Sequence, residues 1–468
     1  MRRSRTAPIR RCFAPRIPGF ERHNSLRSLT PVQESTITTV KQVRKREVFG
    51  WAMFDFANQA YTLLIITVIF GDLFTRVIVG DGPDYRLGNL LWSVALAISY
   101  LLVLMAAPVA GSIMDATRSR KRFLMGSWIL TIVTTAALYW VEPGLIVLGM
   151  VLIVISNFGY AIGESFIASF LPDLGPPERL GWISGLGWAL GYVGGLVATA
   201  FALGLLGDVS ADNFERIRWV GPFAAAFFLV AAVPTFLFLR ERGPRRNVAG
   251  RLQLSMGFRR VAKSLRTLRE RPELRDLFIS IFFVMAGIYI VISFTFIYGS
   301  QVIQWDESTR VAMFIVTQVT AAVGALGFGW LQDRIGPVPV YRFTLLFWTV
   351  AVLGIFLTPW LAERLTDILG RPVEAQQVFL FVGALAGLCL GSAQSAGRAL
   401  VAMMVPNGEA GRWFGFWGLS GRAAAIFGLL GIGLLQLWLG LANAILFCLL
   451  LFFAAFVATW RVRVPART

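Results

Sequence analysis

The chain has 468 residues, 56% hydrophobic and 15% charged, with a mean hydropathy of +0.67. Soluble domains run about 45–50% apolar and about 25% charged, so this balance points to lipid as the solvent. It excludes a soluble enzyme, a disordered protein and a nucleic-acid module. The formal net charge is +18, from 44 Lys+Arg against 26 Asp+Glu. Twelve basic residues fall in the first 47 positions and twelve more between Arg240 and Arg275. They flank apolar runs, where basic residues set membrane orientation.

Residues 1–47 contain no apolar core of the kind a secretory signal needs. This Arg-rich, acid-poor start reads as a disordered cytoplasmic tail, an organellar transit peptide or a start codon placed too far upstream. His23 is the single histidine, and Cys12, Cys389 and Cys448 are an odd number of cysteines. No metal site, disulfide framework or cofactor is expected from them.

A span needs about 20 mostly apolar residues. That window gives twelve predicted spans: 48–79, 89–114, 122–141, 145–171, 182–206, 219–239, 276–303, 311–331, 343–361, 377–402, 413–439 and 441–460. Lys and Arg on the N-terminal side of these spans number 35, against 7 on the other side, with Arg398 and Arg422 inside spans. This bias places both termini in the cytoplasm.

The domain plan follows. Residues 1–47 are a basic tail, 48–239 a six-helix bundle, 240–275 a basic linker, 276–460 a second six-helix bundle and 461–468 a short tail. In the linker, Leu254, Phe258, Val261, Leu265 and Leu268 fall on one helical face and Arg259, Arg260, Lys263, Arg266 and Arg269 on the other. That pattern suits a helix lying on an anionic inner leaflet or a solvated connection that only orients the halves.

The halves echo each other. Gly111-x-x-x-Asp115 recurs 218 residues later as Gly329-x-x-x-Asp333-Arg334-x-Gly336. Leu171-Pro172 through Gly187-Trp188-Ala189 matches Val405-Pro406 through Gly421-Arg422-Ala423 at an offset of 234. Paired repeats are a known transporter plan.

The Gly-Asp signals resemble the cytoplasmic loop motif of the major facilitator superfamily: Gly, three residues, Asp-Arg, one residue, Gly, then a basic run. The first copy keeps Gly111, Asp115, Arg120, Lys121 and Arg122, but has Ala116 in place of Arg and Arg118 in place of Gly. The second keeps Gly329, Asp333, Arg334 and Gly336 without the basic run. Three longer stretches are similar to the vacuole-effluxer-like branch: GWAMFDFANQAYTLLIITVIF, FLPDLGPPERLGWISGLGWALGYVGG and GSAQSAGRALVAMMVPNGEAGRWFGFWGLSGRAAAIFGLLG. Yeast members of that branch export amino acids from the vacuole. The resemblance covers residues 46–460 and implies an all-α integral membrane fold of twelve helices in two six-helix repeats. One departure is Ala168, where the branch would have Asn.

Charges inside spans are costly and mark function by default. Asp55 lies about 10 Å into the first helix, with Asn58, Gln59 and Thr62 on the same face. Glu164, Arg398 (with Gln394 at i−4) and Arg422 lie in the cytoplasmic half of their spans. The acids belong to the first half and the arginines to the second. The resemblance implies that the first, fourth, seventh and tenth helices line a central cavity. These residues can then form a cytoplasmic gate of ion pairs between halves or a substrate site for a carboxylate and an amine; otherwise they snorkel to the interface, Arg398 above all, or make fixed structural pairs within a half. Proton coupling is compatible with the first two. Glycines of the fifth helix (Gly181, Gly185, Gly187, Gly191, Gly194, Gly195) read as helix-packing positions. Trp413 and Trp417 read as interfacial anchors.

The expected function is secondary active transport of a small polar solute, such as amino acids or related metabolites, by alternating access. The alternatives are an uncoupled facilitator and a non-transporting sensor or scaffold on the same fold. No lysine follows a glycine, so no phosphate-binding loop supports ATP-driven transport. Partners are the solute and the bilayer, with no nucleic acid, and a monomer is expected. Arg exceeds Lys 40 to 4, a composition that suggests a GC-rich bacterial genome and the inner membrane.

Overall fold

The computed structural model describes residues 45–80, 86–207, 209–242, 259, 266–406 and 408–463, which lie in one compact unit. Most of the expected tail 1–47, the surface helix 254–268 and residues 464–468 fall outside the described residues. Among the described residues every regular element is a helix. In lipid that is the arrangement that bonds every backbone group within its own segment. Hydroxyls on the spans are absorbed in the same way: Ser112, Thr131, Thr317 and Thr358 each donate to the carbonyl four residues back.

Eleven of these helices are long and apolar enough to cross a membrane, and a bent pair makes the twelfth. The first half holds α1 (Lys45–Val79), α2 (Arg86–Thr117), α3 (Arg120–Trp140), α4 (Ile146–Ala168), α5 (Leu180–Leu206) and α6 (Phe214–Phe238). The second holds α7 (Pro272–Tyr298), α8 (Glu307–Ile335), α9 (Pro337–Leu369), α10 (Ala375–Met404), α11 (Ala410–Gln436) and the bent α12 (Trp438–Ala444 with Phe447–Arg461).

Three expectations need correction. The first span begins at Lys45, so Glu47 belongs to a helix, buried and paired with Arg242 at 3.0 Å, and not to the tail. The last span is not one straight helix. Backbone bonds three residues back, from Leu446 to Asn443, Cys448 to Ile445 and Leu449 to Leu446, tighten the turn there and bend the axis by 61°. The second repeat also changes register. Gly411 and Arg412 stand where Gly181 and Trp182 stand in the first half, an offset of 230 and not 234. Gly181 follows Pro172 by nine positions, whereas Gly411 follows Pro406 by five. Arg422 therefore corresponds to Tyr192, and Gly187 to Trp417.

Each half leans on the other through close backbone contact. A side chain at Gly111 would run into the Gly411 carbonyl, and one at Gly329 would lie 2.8 Å from the Gly181 carbonyl. Further along, a Cβ at Gly415 would lie 2.5 Å from the Ala107 carbonyl, and one at Gly185 would meet that of Ala325. The packing role expected for the α5 glycines is thus visible: Gly181 and Gly185 face α8, while Gly191 and Gly194 face α1. Small residues let helices approach this closely in lipid.

Candidate functional site

Asp55 and Arg398 meet across the interface between the halves. Arg398 Nη1 donates to Asp55 Oδ2 at 2.7 Å. Its Nε donates to Ser184 Oγ at 3.1 Å and its Nη2 to the Ser184 carbonyl at 2.9 Å. The guanidinium lies 4.6 Å from the ring centre of Trp51 and 5.2 Å from that of Trp188. Arg398 does not snorkel to the interface. It is 3% exposed and held by charge, hydrogen bonds and two aromatic faces.

Glu164 and Arg422 form a second pair, also between halves. Arg422 Nη2 donates to Glu164 Oε2 at 2.6 Å and its Nη1 to Tyr289 Oη at 3.1 Å. The Tyr160 hydroxyl donates to Glu164 Oε1 at 3.0 Å and accepts from Thr62 Oγ1 at 2.7 Å. The Tyr100 ring covers the Arg422 guanidinium at 4.9 Å. This network joins α1, α4, α7 and α11 and is covered by α2. Neither pair lies within a half, so the pairing-within-a-half reading does not describe them.

Between the pairs is a cavity of about 20 Å³, lined by Asp55, Asn58, Gln59, Glu164, Trp188, Gly191, Arg398 and Trp417. That is room for roughly one water. The expected residues Asp55, Asn58, Gln59, Glu164 and Arg398 converge on it. Arg422 reaches it through Glu164. Gln394 is buried one turn before Arg398 and is not among the lining residues. Ala168 is wholly buried.

The loop motif builds a second layer of cross-half contact. Asp115 Oδ1 accepts from the Gly411 N–H at 2.9 Å and Oδ2 from that of Arg412 at 2.7 Å. Asp333 accepts from the Trp182 N–H at 3.2 Å through both oxygens. Each carboxylate thus caps the start of a helix from the opposite half. Arg120 pairs with Asp173 at 2.5 Å and donates to the Ser169 carbonyl, and Lys121 Nζ donates to the Phe236 and Leu239 carbonyls. Those contacts stay within the first half. Arg334 lies over the Trp330 ring, and Gly336, at φ +95°, makes the tight turn from α8 to α9. Arg118 keeps the turn that its family position calls for, at φ +52°.

Several participants were not legible in the sequence. Trp51 and Tyr160 stand four residues before Asp55 and Glu164, so helical spacing could have found them. Ser184, Tyr289 and Tyr100 carry no local signal, because they reach the charges only through tertiary packing. The anchor reading of Trp413 and Trp417 is corrected. Trp413 is fully buried against Phe278 and Phe416, and Trp417 lines the cavity. The start of α11 packs on protein there, so its indoles are not at a lipid boundary.

The profile of the family described as vacuole effluxer Atg22 like matches residues 91–180 and 177–467. An uncharacterized MFS-type transporter of Bacillus subtilis (strain 168), YxiO, is 23% identical over 419 residues, covering 88% of this chain and 94% of the relative. A candidate proline/betaine transporter of Staphylococcus haemolyticus (strain JCSC1435) is 28% identical over 326 residues, 64% of each chain. Among solved structures, the proton:xylose symporter XylE bound to 6-bromo-6-deoxy-D-glucose superposes with a TM-score of 0.68 at 14% identity. It covers 90% of this chain and 95% of that one. At that identity the likeness shows the fold alone.

Proposed function

Because the chain belongs to the vacuole effluxer Atg22-like family of the major facilitator superfamily, and is therefore an integral membrane transport protein, we propose that it carries a small polar solute by alternating access. Amino acids and related zwitterions are the favoured cargo. The observation that carries this reading is the two partly buried ion pairs, Asp55–Arg398 and Glu164–Arg422, each joining one half to the other. They stand on the same side of the molecule as the Asp115 and Asp333 contacts. With the loop-charge bias, that side is the cytoplasmic one.

In this arrangement the inner mouth is closed. Rocking the halves apart breaks both pairs, and the solute or water takes over the exposed charges. A buried pair that loses one partner costs about 3–5 kcal/mol, so the solute must supply matching charge for the change to be easy. Glu164 is the more exposed acid, 28% against 13% for Asp55. Its exchange of Arg422 for a proton is a natural point of coupling. The relative described as a candidate proline/betaine transporter supports zwitterionic cargo.

The test is a distance measurement by electron paramagnetic resonance on protein labelled at Glu178 and Ile335, which are exposed and lie on either side of the α5–α8 contact. Asp55→Asn with Glu164→Gln should shift the distribution to longer distances. Identical distributions in wild type and variant would remove the gate from the mechanism.

A further inference from the structure

The four charges around the cavity sum to zero: Asp55 and Glu164 against Arg398 and Arg422. In a site of low dielectric, a cargo with net charge leaves one group unpaired, at a cost of several kcal/mol. A cargo carrying its own opposite charges does not. The site is therefore balanced for a neutral molecule with separated charges, and the remaining question is how the protein tells its two ends apart.

Two buried polar atoms bear on that. Asn58 Oδ1 and Trp188 Nε1 have no hydrogen-bond partner among the described residues, and both side chains line the cavity. An unmet buried donor or acceptor costs about 1–3 kcal/mol, and of the unmet buried side-chain atoms among the described residues these two belong to residues that line the cavity. Their placement is not symmetric. Asn58 follows Asp55 on α1 by three residues, one turn along the same face. Trp188 lies on α5 with its ring over the Arg398 guanidinium. The spare acceptor thus stands beside the anion and the spare donor beside the cation.

We infer that Asn58 and Trp188 are specificity-determining residues of the transport site. Trp188 Nε1 donates to the anionic end of a zwitterion held by Arg398, and Asn58 Oδ1 accepts from the cationic end held by Asp55. The inference rests on the transport reading above. Ser184 keeps Nε and Nη2 of Arg398 and leaves Nη1, which faces Asp55, to exchange partners. The cavity has no spare room for an amino acid. The zwitterion therefore takes the place of the direct Asp55–Arg398 contact, with its carboxylate toward α5 and α10 and its ammonium toward α1.

The test uses the purified full-length chain in thermal-shift titrations. The ligands are the twenty amino acids, each beside its decarboxylated amine and its deaminated acid (for L-alanine, ethylamine and propionate), with these singly charged analogues titrated to concentrations at least about a hundredfold higher because each leaves one charge unmatched. Trp188→Phe keeps the ring and removes the donor, and Asn58→Leu keeps the volume and removes the acceptor. Trp188→Phe should weaken a stabilising amino acid and its deaminated acid about tenfold and leave the amine unchanged. Asn58→Leu should weaken the amino acid and the amine and leave the acid unchanged. Equal losses across all three ligands, no loss in either variant, or no amino acid stabilising the wild type would each overturn the inference. The label distances at Glu178 and Ile335 report the transport reading separately. Gating that responds to Asp55→Asn with Glu164→Gln, alongside failed analogue discrimination, would sink this inference and leave the transporter standing.

Discussion

Asp115 and Asp333, 218 residues apart, hold equivalent posts. Each places its carboxylate on backbone N–H groups at the start of a helix from the opposite half, Gly411 and Arg412 for Asp115 and Trp182 for Asp333. Helix starts carry partial positive charge and unsatisfied donors, so an anion there is doubly favoured. The bonds to Asp115 are shorter than those to Asp333, which makes the α2–α11 side the tighter clamp.

Asp115→Asn should therefore loosen the contact between the halves more than Asp333→Asn. Hydrogen bonds to a charged group are worth about 1.5–3 kcal/mol each, enough to move a two-state ratio by a factor of ten or more. Spin-label distances across the inner end, compared between the two variants, check the order. A larger opening in Asp333→Asn would reverse the assignment of the tighter side.

The Asp55–Arg398 pair should behave as a coupled unit. Asp55→Asn or Arg398→Gln alone strands a buried charge and should lower thermal stability by the equivalent of about 3–5 kcal/mol. The double variant should cost less than the sum of the two, with an interaction energy of about 0.5–3 kcal/mol. Arg398→Lys should not rescue, because a lysine cannot hold Ser184 at two points while lying flat between Trp51 and Trp188. Additive losses in a melting series would refute the coupling.

Gly111→Ala should wedge the halves apart. The new methyl would run into the Gly411 carbonyl, which is backbone and cannot rotate away. A Cβ at Gly126 on α3 meets nothing within 4 Å, so Gly126→Ala is the control. It should leave the distances unchanged and stabilise by up to about 1 kcal/mol through helix propensity. Equal behaviour of the two alanines would show that the α2–α11 contact does not set the closure.

Arg118 holds a left-handed backbone at φ +52°, a region that favours glycine. That conformation costs a non-glycine residue roughly 1–2 kcal/mol, while glycine adds about 0.5–1 kcal/mol of unfolded-chain entropy. Arg118→Gly should thus be neutral to stabilising by about 1 kcal/mol. Arg118→Val should be plainly destabilising, since a β-branched residue tolerates positive φ least. Melting temperatures of the two variants decide it. A stable Arg118→Val would mean the turn relaxes.

The spans, their number and the approximate ends were readable because the bilayer imposes one rule on every segment: about 20 apolar residues with internally bonded backbone. The paired Gly-Asp motif was readable for a similar reason, since local turn geometry repeats when a motif repeats. Asp55, Glu164, Arg398 and Arg422 stood out because lipid makes each charge costly. The register of the second repeat did not, because a four-residue change in loop length leaves no mark on hydropathy.

Which acid meets which arginine was beyond any local pattern. The partners are 343 residues apart for Asp55 and Arg398 and 258 for Glu164 and Arg422. The glycines of α5 and α11 decide the pairing, by letting the halves approach until these side chains touch. The same packing buries Trp413, brings Trp417 to the cavity and leaves Asn58 and Trp188 each with an unused polar atom. Composition and periodicity act over one helical segment at a time, and they settled the membrane class, the helix count and the costly charges. Contact between segments depends on side-chain volume and backbone clearance at single positions, so the two ion pairs between the halves, the cavity and its two unmatched polar atoms come from the folded arrangement alone.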